Sequence, residues 1–370
     1  MIRLSNFQVY SMLLIFSLAV AFLQVGKFAI DLLFNNAYLA VLATAVPGIL
    51  IIFMLNHILK KSTLPFPFIL GEHLGEKVGK VIGFLYILIF LLLTSFSLRL
   101  FVDFIETNVL PQTPISIFLG LLLLCGYIAI KTGLENFARM CEIIVILGVG
   151  FSFSIVFLGF FQNIDIKNLL PFAYMNWTSF MRAVFMLSTE ILKLATILFL
   201  GFFIPDKNDA LKIMIKVLFT YIILITAITV AAILIFGGTT ASLFTFPTFA
   251  VVRIINIADF LTNLDAIFIG LWIIGIFGTS TFLWFMFCIT TQYVFNLRDY
   301  RFIAAPSSLI IAVLAIKMAS NILEINILII YIIPFLLSIF FFLIPFLLFL
   351  ITLFKPYPEL DQENCKNINF

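Results

Sequence analysis

Glu190 and Lys193 stand three residues apart inside a long apolar run, from about residue 180 to 204. That spacing places them on one face of a helix. An ionisable side chain buried in a membrane costs about 2.5–3.5 kcal/mol or more, so a pair held there is a candidate for function. Two readings stay open on the residues alone. In one, Glu190 meets a ligand amine or carries a proton or a cation. In the other, Glu190 and Lys193 neutralise each other in the bundle interior. Ser188 and Thr189 precede the pair, and their hydroxyls suit backbone opened by a helix break. Arg99 and Asp103 lie four apart, with Glu106 beyond, and so do Lys27 and Asp31. Both couples are expected near the outer interface, where long side chains reach water. They read as structural pairs, and Glu142 as an interfacial residue. A run of small and hydroxyl residues, Gly275, Gly278, Thr279, Ser280 and Thr281, suits close helix contact and equally one wall of a polar cavity.

The elements that position these groups follow from composition. Of 370 residues, 64% are hydrophobic and 11% charged, and 47 are Phe; the mean hydropathy is +1.24. A water-facing surface needs about 25% charged residues. Soluble enzyme, disordered chain, nucleic-acid binder and disulfide-framed secreted domain are therefore excluded. The apolar runs are continuous and do not alternate, which excludes an outer-membrane barrel. An all-α membrane protein remains.

A spanning helix needs about 20 apolar residues. About ten such spans are expected, at 9–33, 38–59, 81–106, 114–131, 140–161, 180–204, 213–236, 264–295, 303–320 and 328–354. With the N-terminus inside, fourteen of the 21 Lys and Arg fall on inner segments. Six (Lys27, Arg99, Lys167, Arg182, Arg253 and Lys317) fall on the outer side or in outer helix halves, and Lys193 lies mid-span. This bias predicts both termini in the cytoplasm. Arg3, the first apolar run and Ala19-Val20-Ala21 have the form of a cleavable leader. The run continues to Leu33, however, and reads as a retained span. Residues 68–81 are expected to form a short amphipathic helix at the inner interface, and 247–259 a helix on the outer face. Residues 1–356 form a single transmembrane domain, and 357–370 a short polar tail.

Other chemistry is not indicated. Cys125, Cys141, Cys288 and Cys365 form no CxxC pair, and His57 and His73 stand apart from other ligand types, so neither a metal site nor a cofactor is expected. No phosphate-binding glycine loop, nucleophile elbow or catalytic carboxylate pair is present, and enzymatic activity is not expected. Phe340-Phe341-Phe342 read as lipid-facing or packing residues.

Several segments carry a family likeness. Phe246-Pro247-Thr248, Val252-Arg253-Ile254-Ile255, Asp259-Phe260-Leu261, Leu264 to Phe268 and Leu271 to Phe277 follow in order. Asn6-Phe7-Gln8 opens the first span, Gly79-Lys80-Val81-Ile82-Gly83 lies before the third, and Asp165 to Pro171 before the sixth. Together, over about residues 5–355, the chain resembles the spore-germination permease family, the B subunits of nutrient-germinant receptors. That family belongs to the amino acid/polyamine/organocation transporter superfamily. The resemblance implies a five-plus-five inverted repeat, about 9–161 and 180–354, with the first helix of each repeat broken near the midplane. It implies a small-molecule germinant, an amino acid, bound between spans one, three, six and eight. It also implies A and C partner subunits, a spore inner-membrane location and no nucleic-acid partner. A proton-coupled amino-acid transporter and a pocket-less scaffold are the alternatives on the same fold. Where relatives carry Gly-x-Gly in the first span, this chain has Ala19-Val20-Ala21; alanine lacks glycine's access to positive φ. A break at Gly26, or a milder one, is the expectation. The residues implied for the ligand or ion path are Ala19, Ala21, Thr189, Glu190, Lys193, Thr279 and Ser280, with Asp265 structural or lining a vestibule.

Overall fold

The computed structural model describes residues 3–61, 65–110, 112–162, 164–255, 264–319 and 322–354. The tail 357–370, Cys365 and the segment 256–263, which holds Asp259 to Leu261, lie outside the described residues. Among the described residues the regular structure is helical, with no strand. Nine helical stretches there are long and apolar enough to cross a membrane. They include Glu76–Asn108, Trp177–Phe203, Leu264–Phe295 and Glu324–Phe354. The expected ninth span is the shorter helix Ala304–Lys317, of 14 residues. Large apolar side chains stand exposed along the outward faces, among them Leu50, Phe219 and Leu309 at 66%, 63% and 71%. A continuous apolar exterior of this kind is compatible with hydrocarbon and not with water.

Local chemistry sets the helix ends. Ser5 Oγ accepts from the Gln8 backbone N–H at 3.1 Å, and Gln8 Oε1 accepts from the Ser5 N–H at 2.9 Å, a capping box that starts span one at Asn6. Asn176 Oδ1 accepts from the Thr178 N–H at 2.9 Å and starts span six at Trp177.

The amphipathic segment differs from expectation. It is not one helix over 68–81 but two, divided at Gly75. Helix Phe66–Leu74 ends at Gly75, whose φ of 92° turns the chain into Glu76–Asn108. The two helices cross backbone to backbone: a Cβ built on Gly79 would lie 2.5 Å from the Gly71 Cα. Phe66 is fully buried, edge-on to Tyr86 and tilted against Phe199. Phe341 joins the same cluster through Phe90 and is buried, whereas its neighbour Phe342 is exposed.

At the opposite end of the bundle, two adjacent asparagines hold the loops. Asn35 accepts from the Gly238 N–H at 2.8 Å and donates to the Leu170 carbonyl at 2.9 Å. Asn36 donates to the carbonyls of Pro171 and Tyr174, both at 3.2 Å, and accepts from the Ala173 N–H at 3.0 Å. Lys27 pairs with Asp31 at 2.5 Å and also donates to the Ser242 carbonyl at 2.6 Å. Helix Pro247–Ile254 packs here against Ala21–Leu33 with Phe249 and Val252 buried.

Candidate functional site

Two spans are interrupted at their middles. Span one consists of helices Asn6–Leu18 and Ala21–Leu33, with Ala19 and Val20 between them. Both linking residues keep right-handed helical dihedrals (−60°, −42° and −76°, −43°). The interruption is therefore the milder break, and it falls at the alanine pair. Gly26 lies within the second helix, where a Cβ would come 3.1 Å from Thr229 Oγ1; it is there for close contact. Three side chains bridge to this strip: Thr279 Oγ1 donates to the Ile15 carbonyl at 3.0 Å, Trp272 Nε1 to that of Ala19 at 3.0 Å, and Thr248 Oγ1 to that of Phe22 at 2.7 Å. The small residues of span eight let it come this close. A Cβ on Gly278 would lie 3.0 Å from Ile15 Cγ2, and one on Gly275 3.5 Å from the Ala19 Cβ.

Span six changes winding. Trp177–Ile191 is α-helical, and Leu192–Thr196 is a 3₁₀ turn. The hydroxyls of Ser188, Thr189 and Thr196 donate to the carbonyls of Val184, Met186 and Lys193 at 2.6, 2.7 and 2.8 Å, competing with the regular ladder. At three residues per turn, residues i and i+3 eclipse. Lys193, in that turn, lies one helical turn on from Glu190, and its Nζ lies 2.5 Å from Glu190 Oε2. Lys193 Nζ also sits 5.3 Å from the centroid of the Phe16 ring.

These interruptions border one cavity. Span one contributes Phe16, Val20, Gln24 and Phe28. Span three contributes Leu93, Phe96 and Ser97, and span six Met186, Leu187, Thr189, Glu190 and Lys193. Thr279 and Leu283 come from span eight, and Ile329, Ile333 and Pro334 from span ten. Four of the sequence-predicted residues, Thr189, Glu190, Lys193 and Thr279, therefore meet. Three others do not line this space. Ala19 borders a separate apolar recess that has no charged lining residue. Ala21 is fully buried, and Ser280 Oγ donates to the Phe277 carbonyl of its own helix at 3.2 Å. Asp265 accepts from the neighbouring Ala266 N–H at 3.0 Å.

Three contributors were not anticipated. Ser97 and the span-ten wall come from segments that read as plain apolar spans. Gln24 is an amide in the middle of the first apolar run, and that break in hydropathy was its only signal. Gln24 and Val20 also line an adjoining space of about 210 Å³, closed off by Leu100, Phe104, Phe246, Trp272 and their neighbours. Phe104 is the hub of that closure, with ring centroids 4.5 Å from Trp272 and 5.3 Å from Phe246. Span ten departs from regular α-helix on both sides of Pro334, with π-helical turns at Leu328–Ile332 and Ser338–Leu343. Such turns free backbone carbonyls, and proline removes a donor.

The remaining pairs are placed as follows. Arg99 and Asp103 are 3.9 Å apart, and both are buried, at 5% and 7% exposure. They do not reach water as expected: both are enclosed within the bundle, in which helix Leu264–Phe295 runs along Glu76–Asn108. Neither lines the cavity. Ser5 Oγ and Glu142 Oε1 meet at 3.5 Å near the N-terminal end. Among the described residues no three His, Cys, Asp or Glu side chains gather as a metal site would need.

Comparison with known proteins bears on this arrangement. The family model described as Spore germination protein matches residues 3–323. Spore germination protein KB of Bacillus subtilis (strain 168) is 28% identical over 334 residues, covering 87% of each chain. Putative spore germination protein YfkT of the same organism is 25% identical over 264 residues, 70% of this chain and 71% of the relative. Spore germination protein A2, also of B. subtilis, is 26% identical over 245 residues, 62% and 64% respectively.

Proposed function

Because the chain belongs to the spore germination protein family, we propose that it is the membrane-embedded B subunit of a germinant receptor and that its cavity binds a small nutrient, an amino acid. The observation that carries this reading is the cavity that reaches Glu190, Lys193, Gln24 and Thr279 where spans one and six are both interrupted. Carboxylate, ammonium, amide and hydroxyl groups on one side and Phe16, Leu93, Leu283 and Ile333 on the other suit a small zwitterion with an apolar side chain. The matching interruptions support two repeats, about 9–161 and 180–354, related by a two-fold axis in the membrane plane. Ligand binding shifts the bundle between two states, because the nutrient has different affinities for them. A and C subunits relay that shift. Both termini face the cytoplasm, and the membrane is the spore inner membrane. A pocket-less scaffold does not account for an open cavity lined by a charge pair.

The test is germination of spores carrying Glu190→Gln against a panel of amino acids, with receptor level followed by blot. Loss of the response to one nutrient at unchanged protein level supports the reading. An unchanged response overturns the placement of the ligand at Glu190.

One feature favours a second reading. Glu190 Oε1 has no hydrogen-bond partner among the described residues, although it borders the cavity. A carboxylate oxygen left open beside the cavity suits proton-coupled amino-acid transport on this fold. Amino-acid uptake into proteoliposomes under an imposed proton gradient distinguishes this reading from nutrient binding without uptake.

A further inference from the structure

The cavity already holds an ammonium group, and it belongs to the chain itself. Lys193 Nζ lies 2.5 Å from Glu190 Oε2 and 5.3 Å from the Phe16 ring centroid, and the lysine side chain is 6% exposed. A carboxylate and an aromatic face are the two groups that recognise a small primary ammonium ion. Both are taken. The other polar groups are largely committed too. Ser97, Thr189 and Thr279 each donate their hydroxyl proton to a backbone carbonyl, at 2.9, 2.7 and 3.0 Å. Only Glu190 Oε1 and the Gln24 amide face the cavity without a hydrogen bond among the described residues. An incoming carboxylate finds no uncommitted cation in this cavity unless Lys193 lets go of Glu190.

We propose that Lys193 is a tethered occupant of an ammonium site formed by Glu190 and Phe16, and that the ligand enters by ion-pair exchange. The inference rests on the nutrient-binding reading of the same cavity and deepens it. The ligand's ammonium replaces that of Lys193 at Glu190, and the freed Lys193 pairs with the ligand's carboxylate. No covalent bond changes and no proton moves. One internal pair and one zwitterion become two intermolecular pairs, so no charge is left alone in a low-dielectric interior, where an unpaired ion is costly. The same bookkeeping excludes simple amines from the wild-type chain, since an amine without a carboxylate would strand Lys193. Removing the lysine's charge reverses that selectivity: Glu190 then stands without a cation, and a plain alkylammonium ion fits the vacated place.

The experiment is thermal unfolding of the full-length chain in detergent micelles, titrated with propylammonium chloride against sodium chloride of equal ionic strength. Lys193→Met is expected to show a saturable rise in Tm, with half-saturation at a concentration at least tenfold lower than for wild type or the Glu190→Gln/Lys193→Met double variant. Equal responses in all three proteins overturn the proposal, and so does a double variant that responds like Lys193→Met. Should Lys193→Met fail to purify alone, propylammonium present throughout solubilisation is expected to restore its yield to that of the double variant. Failure to restore it overturns the proposal. The readout uses neither spores nor nutrient, so a negative result here is distinct from a negative result in the germination test.

Discussion

The indole Nε1 of Trp272 donates to the carbonyl oxygen of Ala19 at 3.0 Å, so span eight closes a hydrogen bond at the residue where the helix of span one is interrupted. With Thr279 on Ile15 and Thr248 on Phe22, the acceptors fall at i, i+4 and i+7, a single stripe along span one. The interrupted helix is held straight by its neighbours. Trp272→Phe keeps the ring against Phe104 and deletes the donor. It is expected to cost about 1 kcal/mol, seen in thermal unfolding, and to speed amide exchange around residues 19–23. Unchanged exchange there would contradict this role.

Glu190 and Lys193 are worth more together than apart. Removing one partner of a buried ion pair costs about 3–5 kcal/mol, while replacing both by neutral groups of like shape is far milder. Glu190→Gln and Lys193→Met are each expected to lower Tm more than the double variant does. A double variant as unstable as the sum of the singles would show that the two side chains act independently.

Gln24 borders both the main cavity and the small space beneath the Phe104 closure. Gln24→Leu is expected to raise the nutrient concentration needed for half-maximal germination about tenfold, the equivalent of one hydrogen bond, at unchanged receptor abundance. A dose–response series on variant spores measures this shift.

The Gly71–Gly79 crossing leaves no room for a side chain at Gly79, because the clash would be with the backbone of Gly71. Gly79→Val is expected to cost about 1–3 kcal/mol and to expose the turn at Gly75 to protease. Gly120, with no heavy atom within 4 Å of its would-be Cβ, serves as the control; Gly120→Ala is expected to leave unfolding stability within about 0.5 kcal/mol of wild type.

Lys207, between spans six and seven, has no carboxylate partner among the described residues, and burial lowers its pKa to about 8. An unfolded lysine titrates near 10.4. Between about pH 8 and 10.4 the unfolded chain therefore binds the extra proton, and folding stability rises with pH across that window. Below it, the cost of holding the charge in the fold is constant. Unfolding measured from pH 7 to 10 is expected to show this rise in wild type and to lose it in Lys207→Met, which is the more stable of the two at pH 7.

Much of this was readable before the fold was known. Runs of about 20 apolar residues mark spans because lipid offers the backbone no partners, and the three-residue spacing of Glu190 and Lys193 is a contact in any helical winding. The rest depends on which face turns inward, and hydropathy is silent on that when every face is apolar. Ile329, Ile333 and Pro334 look like any lipid-facing stretch, yet they wall the cavity. Arg99 and Asp103 were placed at the water because charge favours it, but the bundle encloses them. The amphipathic pattern over 68–81 runs straight through Gly75; what divides it is a contact between Gly71 and Gly79 that only the tertiary fold brings about.

Asn35 and Asn36 give the loops at their end of the bundle a mechanical character. Through side-chain amides, this dipeptide ties residues 170–174 to Gly238, and it follows directly on helix Ala21–Leu33, which borders the cavity through Gln24 and Phe28. The two loops are thus yoked to one lever. A small tilt of that half-helix at the cavity would therefore displace both loops together, without any residue of the chain having to unfold.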